Sequence, residues 1–182
     1  MIIPVKQRGE FVATMRHISV RLMETLAAWV PTTPEMEVKL LFGEHIWDVA
    51  QHADALGKRT YELRLPLQHS QRPTDDYVSI LDELAATTAT SRRLAGVYDA
   101  LIPAMVERYR AYVDETDPLS DAPTVRILES FLRDAERMLK AGRSLREEHP
   151  ALREEDPGWT ESLRRRAATT ECVAARVAGE VA

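Results

Sequence analysis

Between Val38 and Leu63 the chain reads VKLLFGEHIWDVAQHADALGKRTYEL, and this stretch limits the fold more than any other. At about 100° per residue, Val38, Leu41, His45, Asp48, Val49, His52, Leu56 and Leu63 fall on one helical face. A stripe of that spacing faces a core. Two imidazoles and a carboxylate within it carry a desolvation cost unless they pair, bind a metal or line a wet cavity.

The flanking sequence supplies partners for such a helix. Glu10 to Val30 predicts a first helix, with Phe11, Met15, Ile18, Leu22, Leu26 and Trp29 on one side and Pro31 closing it. His17, Arg21, Glu24 and Ala28 share another side, either a solvated face or part of an interior polar site. The second helix enters through Pro34 and runs to Arg64. Leu65 to Asp76, with two prolines, reads as a connection longer than a helical hairpin needs.

A third helical region starts after a cap at Thr74, Asp75 or Asp76. It resumes from Arg92 to Glu115 with Leu94, Val97, Tyr98, Leu101, Met105, Tyr109 and Tyr112, and Pro103 predicts a kink that frees the Asp99 carbonyl. The fourth helix starts around Pro123 and carries Val125, Leu128, Leu132, Ala135 and Leu139, with Gly142 weakening its end. After a charged tail and the turn at Asp156-Pro157-Gly158, Trp159 to Val177 predicts a short extra helix. The pattern is all-α: one domain over residues 1–182, with a bundle over about 10–147 and a C-terminal extension over about 148–182.

With 45% hydrophobic residues in 182, the chain buries a core without staples. Its net charge of -5 argues against a nucleic-acid partner. Cys172 is the single cysteine, which excludes an intrachain disulfide and points to a reducing compartment. With no membrane span or leader pattern in the sequence, the expectation is a soluble cytoplasmic protein without a membrane partner.

Residues three and four apart on a helix point at one spot, so His45, Asp48 and His52 can converge on one side. The plain alternative is that Asp48 bonds an imidazole within a buried polar network. Two stretches, HIWDVAQHADAL from His45 and DAPTVRILESFLRDAERML from Asp121, resemble the ferritin-like superfamily, with the likeness running from about Arg16 to Leu145. The resemblance implies a ferritin-like up-down four-helix bundle with its longer connection between helices two and three. In di-iron relatives, helices two and four each supply Glu-x-x-His, and helices one and three each supply a Glu.

This chain departs from that pattern. His52 matches a ligand histidine, but Val49 stands three residues before it, and the fourth-helix pair falls on Ala135 and Met138. Glu24 and Glu107 are candidates for the two remaining carboxylates, and Asp48, Glu129, Asp134 and Glu136 are others nearby. The expectation is a lost di-iron centre, with no metal ligand set assigned and no cofactor favoured.

The favoured reading is a small-molecule enzyme performing acid-base chemistry: cyclisation, isomerisation, elimination or hydrolysis, in a setting such as bacterial specialised metabolism. Its candidate catalytic residues are His52, Asp48, His45 and Tyr98, with Asp48 orienting an imidazole of near-neutral pKa. Glu24, His17, Val49, Glu129, Ala135 and Met138 are the candidate substrate-binding residues. One alternative is an iron- or manganese-dependent oxidase or oxygenase with a rearranged site; another is a non-catalytic bundle that binds a ligand or partner. Trp47, roughly opposite the histidines, is expected to pack on another helix or on the second subunit of a homodimer.

Overall fold

A computed structural model describes residues 3–153 and 156–174, and all regular structure there is helical. The first helix, α1 (Val5–Trp29), starts well before Glu10. Its first turn is pinned from outside: the Arg8 side chain donates to the Ile3 carbonyl at 2.8 Å and to the Ser120 carbonyl and hydroxyl, both at 2.9 Å. A single 3₁₀ turn, Val30–Thr32, leads through Pro34 to α2 (Met36–Glu62).

The next stretch is more built than a plain connection. α3 (Asp75–Ala85) is a separate helix, capped by the Thr74 hydroxyl, which accepts from the Tyr77 amide at 3.3 Å. Residues 86–89 break it from α4 (Thr90–Ala95). That break is held by Trp29, whose indole N–H donates to the Ala85 carbonyl at 3.3 Å, and by Arg93, which donates to the Thr87 carbonyl at 3.1 Å. The segment 63–74 folds back on α1 and α2 through Gln68, whose amide donates to the Gly57 carbonyl at 2.9 Å. A Cβ at Gly57 would lie 1.9 Å from the Gln68 Oε1, so a larger residue there would displace the Gln68 side chain from its place beside α2.

α4, a π-helical turn (Gly96–Leu101) and α5 (Ile102–Glu115) run on as one rod over 90–115. The π turn stands where a Pro103 kink was expected. Proline has no N–H to donate and crowds the preceding turn, and the wider π turn just ahead of it accommodates both defects. After α6 (Ala122–Glu148) and a 3₁₀ turn, α7 (Pro157–Thr169) docks on the π turn and α5 through buried Leu163 and Ala167. α7 ends at Thr169 rather than Val177, and the last part of that expected span lies outside the described residues. The Arg164 to Arg166 run is not simply solvated, since Arg164 pairs with Glu107 at 2.9 Å and Arg166 with Glu83 at 2.6 Å.

Side-chain pairs fix the directions. α1 and α2 are antiparallel, with Trp29 on Phe42 at one end and the Arg16 side chain beside Gly57 at the other. α2 and α6 are antiparallel, since Glu44, His52 and Arg59 meet Arg137, Phe131 and Thr124 in turn. The 90–115 rod runs parallel to α2, because Tyr98 meets His45 and Tyr109 meets His52. Strict up-down alternation is therefore replaced by a parallel pair in the middle. The stretch 63–89, carrying α3, makes the return that such a pair requires.

One end of the bundle is tied by a buried polar knot. The Asp121 carboxylate, with no exposed side-chain surface, accepts from Arg59 at 3.0 Å, Tyr112 at 2.7 Å, Thr116 at 3.2 Å and Thr124 at 2.6 Å, and Arg8 lies 3.8 Å away. Burial pushes the Asp121 carboxyl up, but the bonds from Thr124, Tyr112 and Arg59 outweigh it and hold the group below its ordinary value. No helix among the described residues is long and apolar enough to cross a membrane.

Candidate functional site

The buried face of α2 carries both central histidines, and each is held by a tyrosine rather than by Asp48. His45 Nδ1 lies 2.7 Å from the Tyr98 hydroxyl, and His52 Nε2 lies 2.8 Å from the Tyr109 hydroxyl. The four side chains are 1%, 2%, 6% and 0% exposed for His45, Tyr98, His52 and Tyr109, so both pairs lie inside the core. His52 also stacks obliquely on Phe131, with centroids 4.4 Å apart.

Burial sets the charge state of these groups. It pushes His52 down to about 3 and His45 to about 4, the latter against the Asp48 carboxylate, which pulls upward, while Arg137 adds to the fall. An imidazole near neutrality was expected; the lost hydration of the charged form is the larger effect. Both rings are neutral at physiological pH. Burial likewise raises the Tyr98 and Tyr109 hydroxyls, which stay protonated.

Tyr98 depends on Gly142, where a Cβ would fall 2.7 Å from the tyrosine ring. That glycine, expected only to weaken a helix end, makes space for the ring that holds His45. Gly142→Ala is expected to lose about 1–3 kcal/mol of stability by overpacking. Urea unfolding monitored by circular dichroism checks the loss.

Asp48 faces outward into the α2/α6 groove. Arg137 lies 2.9 Å from Asp48, 3.1 Å from Glu44 and 3.2 Å from Asp134, so one guanidinium serves three carboxylates. Glu44, His45 and Asp48 each offer a ligand atom within 4.8 Å of the others. His45 Nε2 is buried and has no partner.

The remaining sequence candidates scatter. Val49, Ala135 and Met138 are fully buried in the apolar core. Glu24 is exposed beside Arg21, half-buried His17 lies on the outer side of α1, and Glu129 is exposed on α6. Burial lowers the His17 pKa, with Arg21 and Arg72 adding to it. Glu107 points outward to Arg164. The positions at which the resemblance implies di-iron ligands therefore carry Val49, Ala135 and Met138, which have no oxygen or nitrogen donors, and this donor set does not fit a paired-metal centre.

One cavity touches one of the histidine pairs, and a larger one lies elsewhere on the bundle. One of about 250 Å³ opens in the α2/α6 groove and is lined by His52 with Gln51, Arg126, Ser130, Phe131 and Asp134. A larger one, about 650 Å³, lies beside the π turn among Asp99, Arg143, Arg146 and Thr160 and is lined by none of the four paired side chains. The expected role for Asp99 was its carbonyl; in the structure its carboxylate pairs with Arg146, at 2.8 Å for one of the contacts. Of the two, only the smaller cavity has one of the paired imidazoles, His52, in its wall.

Sequence reasoning missed Tyr109, Arg126 and Arg137 as members of this region. Tyr109 carried a signal, since a tyrosine on an apolar helical face needs a hydrogen-bond partner. Trp47, expected to pack on another helix or a second subunit, is 67% exposed within the chain, and Met36 and Leu40, at helical spacing on the same face, are also exposed. Comparison with family models, with curated proteins and with solved structures finds no match to this chain.

Proposed function

We propose that this chain is a metal-independent enzyme for a compact small molecule, built on a ferritin-like bundle, with His52 as the group that moves a proton. The observation that carries the reading is His52 at the wall of the α2/α6 cavity with its Nε2 engaged by Tyr109. The ferritin-like assignment draws on the four rods, the parallel middle pair and the long return between them.

With Nε2 held, Nδ1 is the nitrogen left for the cavity. In the tautomer that donates Nε2–H to the Tyr109 oxygen, Nδ1 carries the lone pair. It takes a proton from the substrate, and the resulting imidazolium is stabilised by the Tyr109 oxygen. Returning that proton to a different substrate atom completes an isomerisation or an elimination. The low basicity of His52 restricts the step to strongly acidified protons, such as those on a carbon flanked by two carbonyl groups. Arg126 supplies a fixed positive charge for a substrate carboxylate or phosphate, and about 250 Å³ suits a molecule smaller than a drug-sized ligand. His45, Tyr98 and Asp48 act as positioning residues that hold α2 against its neighbours. We assign exposed Met36, Leu40 and Trp47 to a homodimer contact, with Gly43 leaving space for close helix approach.

The test is a screen of small carboxylic and phosphorylated acids against chelator-treated protein by ligand-observed NMR, followed by turnover of the hits. His52→Gln is expected to lower turnover by about 10²-fold or more, and Tyr109→Phe by less. Turnover that appears only with added iron or manganese, or that is unchanged in His52→Gln, overturns the reading.

A further inference from the structure

The α2/α6 groove holds a second polar cluster that proton transfer at His52 does not use. Its charges are unequal. Glu44, Asp48 and Asp134 present three carboxylates to the single Arg137 guanidinium. Arg137 therefore offsets only part of the local negative charge.

Beside this surplus lies an imidazole nitrogen without a partner. His45 is 1% exposed, its Nδ1 is taken by Tyr98 at 2.7 Å, and its Nε2 is buried and unbonded. An orphaned buried polar atom is destabilising, and a ligand that engages it removes that cost. Helical spacing sets Glu44 and Asp48 four residues apart and His45 and Asp48 three apart, which gathers their ligand atoms within 4.8 Å.

We propose that Glu44, His45 and Asp48 bind one first-row divalent transition-metal ion, for which Arg137 is the resident competitor. One imidazole with two carboxylates suits zinc, manganese, iron or cobalt; the nitrogen disfavours magnesium and calcium, and the lack of sulfur disfavours copper(I). The Tyr98 hydroxyl on Nδ1 is the outer partner that metal-bound histidines usually have, fixing the ring and its tautomer. Glu44 is exposed and Asp48 half-buried, so an ion reaches the site from solvent. These residues differ from the positions at which the ferritin-like resemblance implies ligands.

The guanidinium must swing away for an ion to enter, and this gives the site its most distinctive response. Equilibrium dialysis of the full chain with zinc, and with magnesium as the control, is expected to show one zinc per chain and no retained magnesium. Arg137→Met removes the competitor and is expected to tighten zinc binding by about tenfold or more, equivalent to about 1.4 kcal/mol. Asp48→Asn and His45→Gln are expected to weaken it by at least as much, and circular dichroism shows whether each variant is folded. Arg137 and Asp48 reach the solvent-facing groove, so their variants keep the test valid if His45→Gln fails to fold. Absence of zinc binding in both the parent and Arg137→Met overturns the proposal, as does binding that Asp48→Asn leaves unchanged. The readout is binding alone, so its failure leaves the role of His52 standing.

Discussion

Replacing Asp121 with alanine is expected to destabilise the protein by about 3–5 kcal/mol, the loss typical when one partner of a buried ion pair is removed. Arg59 would keep a buried positive charge 3.0 Å from a vacated oxygen position, and Arg8 would lose its nearest carboxylate. The hydroxyls of Tyr112, Thr116 and Thr124 would lose their shared acceptor as well. These groups come from α1, α2, α5 with the residue just past its end, and α6, so one side chain ties four helices at one end of the bundle. Against a total stability of about 5–15 kcal/mol, the loss takes a large share. Asp121→Asn, which keeps one acceptor oxygen, is expected to lose less than alanine. Urea unfolding of both variants measures the difference, and a loss below about 1 kcal/mol for alanine contradicts the account of the knot.

Acid is expected to weaken the fold well before the carboxylates titrate. His45 and His52 have native pKa values of about 4 and about 3 against an ordinary value of 6.5. Between those values and 6.5 the unfolded chain binds protons that the native chain refuses. The stabilisation is therefore complete above pH 6.5 and is lost as pH falls through this window. From about pH 7.5 to pH 5 each histidine accounts for about 2 kcal/mol, or about 4 kcal/mol for the pair. His52→Gln is expected to remove about half of that pH dependence. Asp121 is held below its ordinary 3.8, so its own loss belongs at lower pH. Urea midpoints at several pH values measure the slope directly, and equal slopes for the parent and His52→Gln contradict the assignment.

The sequence carried the helical class and the buried face of α2 well, because a spacing of 3.6 residues is a local property. Val38, His45, Val49, His52 and Leu56 are all buried as the stripe requires. It also named Tyr98 beside the histidines. Which group each imidazole meets was not legible, because the partner depends on the neighbouring helix and its direction. Asp48 was the near candidate along the chain, yet it sits on the edge of the stripe and turns to Arg137 on α6. The parallel setting of the 90–115 rod brings the tyrosines to the histidines, and no local pattern encodes that setting.

Glycines show the same limit. Gly142 reads as a weak helical residue until Tyr98 is seen to need the space of its missing side chain. Pro103 predicted a disturbance at the right place but not its form, because proline alone does not choose between a kink and a π turn. Asp121 owes its place in the buried knot to Arg8 and Arg59, far away in sequence.

The central claim is that two neutral His–Tyr pairs occupy the interior of the helical bundle. Long-range ¹H–¹⁵N NMR of the histidine side chains, in chelator-treated buffer from about pH 8 down to about pH 3, tests it most directly. The account predicts that His45 and His52 keep neutral-ring nitrogen shifts through pH 6.5 and begin to titrate only near about 4 and about 3. Titration of either ring near 6.5 would contradict it.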